Sequence, residues 1–290
     1  MDIGTRGIWF HTDDLSSTES VELVRKIERL GYGAFWFGEG FGRDPFVHAS
    51  HLLSQTSKLV VVTGIASIYS RDPVAMWGGA NALAEQSNGR FILGMGVSLP
   101  VMIESRGHQW DKPCTAMRSY LEQMTQIPYM SVSPVEPPPI VLAALGPKML
   151  ELASEQTAGA HPCNVTPGYT VKARKLMGPD AWLCVGQKVI LETNAKRARK
   201  TARAGMEVYL KSPFQKKNWK SMGMDDSDFE GGGSDRLIDS LVAWGDVVAI
   251  EKRIQAQLDA GASHVCIEPM VGEGSRLPDD DLLAVLAPNS

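Results

Sequence analysis

The chain has 290 residues, 43% hydrophobic and 21% charged, with a formal net charge of −4, an ordinary soluble globular composition that argues against a polyanion-binding surface. The length is a little above the roughly 250 residues of a (β/α)8 barrel, and a core of that size needs neither disulfides nor a structural metal. Cys114, Cys163, Cys184 and Cys266 form no C-x-x-C pair, so free thiols in a reducing cytoplasm are expected. Neither a basic-then-apolar leader nor an apolar run of about 18 residues is present, which predicts no signal peptide and no membrane span.

A first strand is predicted over Gly7–Phe10, followed by a helix over Ser20–Leu30 that Gly31 and Gly33 stop. The second strand, Ala34–Phe37, is left through Gly38-Glu39-Gly40, and a helix spans Pro45–Ser54. Leu59–Ile68 is the third strand, and Pro73 opens the next helix at a position that tolerates its missing N–H. Asn88-Gly89-Arg90 turns the chain into the fourth strand, Phe91–Met95, which ends in the run Gly94-Met95-Gly96. Glycines at a strand's carboxyl end let a ligand approach the backbone. A long polar loop, Val97–Pro113, leads to a helix around Ala116–Gln126. The Pro-rich stretch Pro134–Pro139 then presents the fifth strand, Ile140–Ala144, and a helix over Lys148–Gln156. Gly159–Cys163 is the sixth strand, Trp182–Leu191 the seventh, and Ala195–Tyr209 a helix. Lys211–Gly233 reads as an irregular extension; helices over Asp235–Trp244 and Val248–Ala260 precede the eighth strand, His264–Pro269. Repeated strand–helix units with small or polar residues at the strand ends predict an α/β fold, a (β/α)8 TIM barrel forming one domain over residues 1–290 with its site on the rim.

Several chemistries are excluded. Gly94-x-Gly96 is followed by Leu99 instead of a third glycine, so no dinucleotide fingerprint forms, and P-loop, H-E-x-x-H and G-x-S-x-G motifs are absent. His48 and His51 share a helix face without an acid or cysteine to complete a metal set. The basic cluster Lys211–Lys220 runs directly into acidic Asp225–Glu230 and reads as a solvated helix, not a nucleic-acid site.

The rim residues support more than one reading. Asn164-Val165-Thr166-Pro167-Gly168-Tyr169 precedes a helix, whose free N–H groups suit a phosphate; Thr166 capping with Pro167 at the first helical position explains the same spelling. The loop Val97–Pro113 carries Arg106, His108 and Trp110, with His108 either a general acid or a solvated side chain and Trp110 a substrate contact. Tyr69 and Arg71 leave the third strand; Arg71 either holds an anionic group or only braces a helix start through Asp72. His11 and His161 end strands on the same rim, as candidate catalytic and substrate residues respectively.

Ordered segments along nearly the whole chain are shared with one known family: Glu28-Arg29-Leu30-Gly31-Tyr32-Gly33-Ala34-Phe35-Trp36, Gly89–Gly96, Ala143-Ala144-Leu145-Gly146-Pro147, His161–Pro167 and Leu258–Val265. On these the chain resembles the luciferase-like monooxygenase superfamily, in its branch of F420-dependent oxidoreductases. The resemblance implies a barrel that binds coenzyme F420, or alternatively FMN, at the carboxyl ends of its strands. It implies a bulge after the third strand with a non-prolyl cis peptide at Gly64–Ile65 behind the ring. Gly96, Val97 and Ser98 would contact the cofactor, and Asn164, Thr166, Gly168 and Tyr169 would meet its phosphate. Glu39 would contact the ring edge or transfer a proton, although Gly40 stands where several relatives have histidine and Leu99 where they have Thr, Glu or His. The implied activity is hydride transfer to or from a small organic substrate by a homodimer. The alternatives are an FMN-dependent monooxygenase using molecular oxygen and a flavin reductase partner, and a non-catalytic cofactor-binding barrel.

Overall fold

The computed structural model describes residues 1–110, 112–126, 128–272 and 274–288. In chain order the elements are β1 (Arg6–Trp9), α1 (Ser17–Arg29), β2 (Ala34–Phe37), α2 (Pro45–Ser54), β3 (Val60–Thr63), β4 (Ala66–Ser67), α3 (Pro73–Gln86), β5 (Phe91–Gly96), α4 (Pro100–Glu104) and α5 (Pro113–Gln126). They continue with β6 (Ile140–Leu142), α6 (Pro147–Gln156), β7 (Gly159–Ala160), α7 (Pro167–Met177), β8 (Trp182–Leu191), α8 (Ala195–Leu210), α9 (Pro213–Ser221), α10 (Asp235–Leu241), β9 (Val242–Gly245), α11 (Val247–Asp259), β10 (His264–Pro269) and α12 (Asp280–Val285). Many helices start at a proline behind a capping residue. Asp44, Asp72, Thr166 and Ser212 each accept a backbone N–H from the first turn that follows, while the proline has no N–H to leave unsatisfied.

The expected barrel is present. Parallel pairing runs β10-β1-β2-β3-β5-β6-β7-β8, and β8 pairs back to β10, closing eight strands. Alternate strand residues face two different cores. Trp36, Val60, Val62, Ile92, Val141, Cys184 and Cys266 fill the barrel interior. The opposite parity, such as Phe35, Val61, Leu93, Val185 and Ile267, packs against the surrounding helices. A third cluster joins Ala198, Met206, Trp219, Leu237 and Leu241 beneath α8, α9 and α10.

Four sequence expectations are revised. The third strand does not run unbroken to Ile68: β3 stops at Thr63, and the chain resumes as β4, paired with Met95 and Gly96 of β5. The helix expected over Asp235–Trp244 ends at Leu241, because Val242–Gly245 pairs in parallel with Lys188–Leu191. β7 has only two residues against ten in β8, which leaves the upper edge of β8 free for β9. The polar loop Val97–Pro113 contains the short helix α4, and the extension Lys211–Gly233 contains α9 and a 3-10 turn at Asp226–Phe229. Among the described residues no helix is long and apolar enough to cross a membrane.

Candidate active site

The mouth at the carboxyl ends of the strands has one side built of small residues packed against Trp9 and Ile65. Gly38, Gly64 and Gly96 follow or end β2, β3 and β5, and Ala143 follows β6. A Cβ at Gly64 would stand 2.8 Å from Trp9 Nε1, and one at Gly96 2.8 Å from Ile65 Cδ1 and 3.0 Å from Ala143 Cβ. The Gly64–Ile65 peptide is cis. Hydrogen bonds hold this shelf on three sides: Gly64 N donates to Phe37 O (2.6 Å), Glu39 N to Ile65 O (3.1 Å) and Trp9 Nε1 to Gly64 O (2.8 Å). Thr63 Oγ1 locks β3 to β5, donating to Gly94 O (2.8 Å) and accepting from Gly94 N (3.0 Å).

Glu39 and Arg71, expected to serve the ring edge and the substrate separately, are bonded to each other. The guanidinium meets both carboxylate oxygens at 2.9 Å, and Ser67 N donates to Glu39 Oε2 at 2.7 Å. Arg71 also reaches Asp44 (3.1 Å) and lies over the Phe46 ring. Burial disfavours its charge, but the bonds and charges of Glu39 and Asp44 prevail and hold its pKa above the usual value. With both partners taken, this pair braces the junction of β2 and β4 and leaves no open guanidinium for a substrate anion.

On the phosphate side, Asn164 adopts a left-handed backbone (φ 55°) and is buried, with no partner for Oδ1 among the described residues. Its carbonyl accepts from Trp219 Nε1 (3.0 Å), so α9 is anchored on the rim. Thr166 caps α7, and Gly168 lies in its first turn, where an added Cβ would stand 3.8 Å from Thr166 Oγ1. Tyr169 departs from expectation: its N–H points back to Thr166 and its hydroxyl donates to Leu145 O (2.7 Å), so both donors are engaged in packing α7 against the β6 loop.

Two segments meet over the mouth. Trp110 donates to Val97 O (3.2 Å), and its ring lies 4.5 Å from Phe214 of α9. Ser98 has a left-handed backbone (φ 56°) with Oγ toward Met102 Sδ. His108 is exposed and sits 6.0 Å from the Tyr69 ring, and exposed His11 lies beside Asp13 (3.7 Å) and the edge of Trp9.

The opposite wall was missed at the sequence level. Lys188 and Glu268 are register partners on β8 and β10 and form an ion pair. They share inward parity with Cys184 and Cys266, Glu268 one inward position past Cys266 and Lys188 two past Cys184 toward the mouth. Lys188 is 2% exposed and Glu268 18%, and the Lys188 ammonium lies 5.0 Å over the Tyr209 ring. Burial works against the ammonium, yet Glu268 holds the Lys188 pKa above its usual value. His161 is buried, stacked on Trp36 (4.8 Å), with Nδ1 2.8 Å from Cys184 O, and burial lowers its pKa. The signal was present in the sequence: a lysine and a glutamate at inward positions of two mostly apolar strands.

The residues fit a flat, phosphate-bearing ring system: a shelf of small residues packed on Trp9 and Ile65 for the ring, and an unpartnered buried Asn164 oxygen near the α7 N-terminus for its tail. A separate cavity of about 260 Å3 is lined by Trp77, Leu121, Met124 and Ile140 with the polar Glu122, Thr125 and Gln156. The sequence profile of the family described as luciferase-like monooxygenase matches residues 5–264. The chain belongs to that family. A protein of Mycobacterium tuberculosis named as a coenzyme F420-dependent oxidoreductase is 25% identical over 232 residues, 65% of this chain and 66% of the relative. The chain thus spans a little under two thirds of that relative, and about half or less of other curated relatives it matches. Among solved structures, an F420-dependent secondary alcohol dehydrogenase with an F420–acetone adduct superposes with TM-score 0.80 at 13% identity, covering 99% of this chain and 98% of that one. The FMN-bound oxygenating constituent of 3,6-diketocamphane monooxygenase from Pseudomonas putida gives 0.69 at 14%, with 99% and 98% covered. At such identities these two likenesses establish the fold alone.

Proposed function

We propose that the protein is an oxidoreductase that uses coenzyme F420 for hydride transfer to or from a small organic substrate. The observation that carries this is the small-residue shelf of Gly38, Gly64, Gly96 and Ala143, packed on Trp9 and Ile65 at the ligand-binding end of a barrel of the luciferase-like monooxygenase family. The relative named as F420-dependent favours the deazaflavin. When bound, F420 supplies or accepts the hydride; the protein contributes seating, orientation and proton management. In this reading Gly64, Ile65 and Gly96 back the ring, Val97 and Ser98 line its edge, and Asn164, Thr166 and Gly168 receive the phosphate with the α7 N-terminus. The Glu39–Arg71 pair keeps the shelf rigid. Trp110 and Phe214 shield the mouth from water, and His11, His108 and Tyr69 border the substrate entrance. The reading takes the chain as a single-domain, cytoplasmic homodimer.

FMN is the second reading, favoured by the FMN-bound structural neighbour; it would require oxygen and a flavin reductase partner. Anaerobic turnover separates the two. The protein is expected to reduce F420 with alcohols, or oxidise reduced F420 with carbonyl compounds, without oxygen. Oxygen consumption with reduced FMN, and no reaction with F420, would overturn the proposal.

A further inference from the structure

The mouth needs a proton-handling group, and Glu39 is engaged by Arg71 and Ser67. Glu268 remains. Around the closed barrel β8 lies four strands from β3 in either direction, so the Lys188–Glu268 pair faces the Gly64–Ile65 shelf across the mouth. A ring backed by the shelf would turn its open face toward this pair, with the substrate between them. Lys188 lies beneath and Glu268 is the partner with access to the mouth. Burying such a pair is unfavourable compared with apolar residues of the same volume, so packing alone does not account for it. Its charges cancel, which suits a neutral substrate. What it offers is a carboxylate oxygen that accepts a hydrogen bond.

We propose that Glu268, held in place by Lys188, takes the hydroxyl proton of a neutral alcohol substrate and returns it to the corresponding carbonyl compound in reverse. This rests on the deazaflavin reading above. In the oxidising direction the substrate O–H bond breaks and its proton passes to a Glu268 carboxylate oxygen. The C–H electron pair leaves as hydride to C5 of oxidised F420, and the carbon–oxygen double bond forms; reduction reverses each step. The titratable groups facing Glu268 are Lys188 on β8, Tyr209 on α8, His161 and Cys163 beyond β7, and Cys266 on β10 itself. Burial pushes the Cys163 thiol up to about 11 and His161 down, which keeps both uncharged near neutrality.

The test compares wild type with Glu268→Gln, Glu268→Asp and the double variant Glu268→Gln/Lys188→Met. The double variant removes both charges and so leaves no buried ion unpaired if the single variant fails to fold. F420 affinity, read by fluorescence, is expected to stay within about threefold. Single-turnover hydride transfer is expected to fall about a hundredfold or more, with partial recovery in Glu268→Asp. Calorimetry on the F420-loaded protein gives a readout free of turnover: wild type should bind an alcohol about tenfold better than its methyl ether, and the double variant should bind both alike. Retention of turnover within threefold and of the alcohol preference would overturn the role of Glu268 while leaving the F420 reading intact. Failure of wild type to bind F420 would overturn both.

Discussion

Replacing Arg71 by methionine should destabilise the protein by about 3–4 kcal/mol. The change keeps much of the aliphatic stem over Phe46 but removes two 2.9 Å bonds to Glu39. Glu39 would then be a nearly buried carboxylate whose remaining partner is Ser67 N. At 6% and 11% exposure the pair is poorly screened, and breaking a buried pair by removing one partner costs about 3–5 kcal/mol. The half-exposed bond to Asp44 adds at most about 0.5 kcal/mol. Glu39→Gln should cost less, roughly 1–2 kcal/mol: Arg71 keeps Asp44, and the amide oxygen can still accept from Ser67 N. The double variant should cost less than the sum, with a coupling of about 1–3 kcal/mol. Urea unfolding gives all three values from the midpoint at constant slope. Because Glu39 is assigned to bracing, Glu39→Gln should also bind F420 within about threefold of wild type. An Arg71→Met cost below about 1 kcal/mol, or a Glu39→Gln variant of unchanged stability that no longer binds F420, would refute the bracing role.

Stability should also depend on histidine ionisation. Burial is the first cause that lowers His48 and His264 from 6.5 to about 4, so the unfolded chain takes up protons that the folded chain refuses; their stabilisation is complete above pH 6.5 and is lost as pH falls toward 4. The loss is roughly 3 kcal/mol for each by pH 4; the urea midpoint should drop between pH 7 and 5, less so in His48→Gln, and a flat profile would contradict this. Gly96→Val would drive a branched side chain against Ile65 Cδ1 (2.8 Å at Cβ) and Ala143 (3.0 Å) on the shelf. It should weaken F420 binding at least tenfold while leaving far-ultraviolet circular dichroism unchanged, and undiminished affinity would remove the ring from the shelf.

Much of the barrel was legible because its punctuation is local. Asp44-Pro45, Asp72-Pro73 and Thr166-Pro167 announce helix starts through capping chemistry within four residues. The break at Gly64–Ile65 was expected only through family resemblance, since Leu59–Ile68 reads as one apolar run. β9 was misread because Leu241-Val242-Ala243 continues an apolar helix pattern, and its strand state depends on a free edge of β8 that only the short β7 leaves open. The Glu39–Arg71 pair joins residues 32 apart and exists because the β3–β4 break brings Ser67 and Arg71 back to the end of β2. Lys188 and Glu268 were visible as charges in mostly apolar strands, but their meeting required the β8–β10 closure.

The central claim is the identity of the cofactor on the shelf. Its most direct test is an anaerobic equilibrium titration of the apoprotein with F420 and, separately, with FMN, following ring absorbance and fluorescence. The account predicts saturable one-to-one binding of F420, weakened in Gly96→Val, with FMN binding at least tenfold weaker. Saturable binding of FMN with none of F420, or no binding of either, would contradict it.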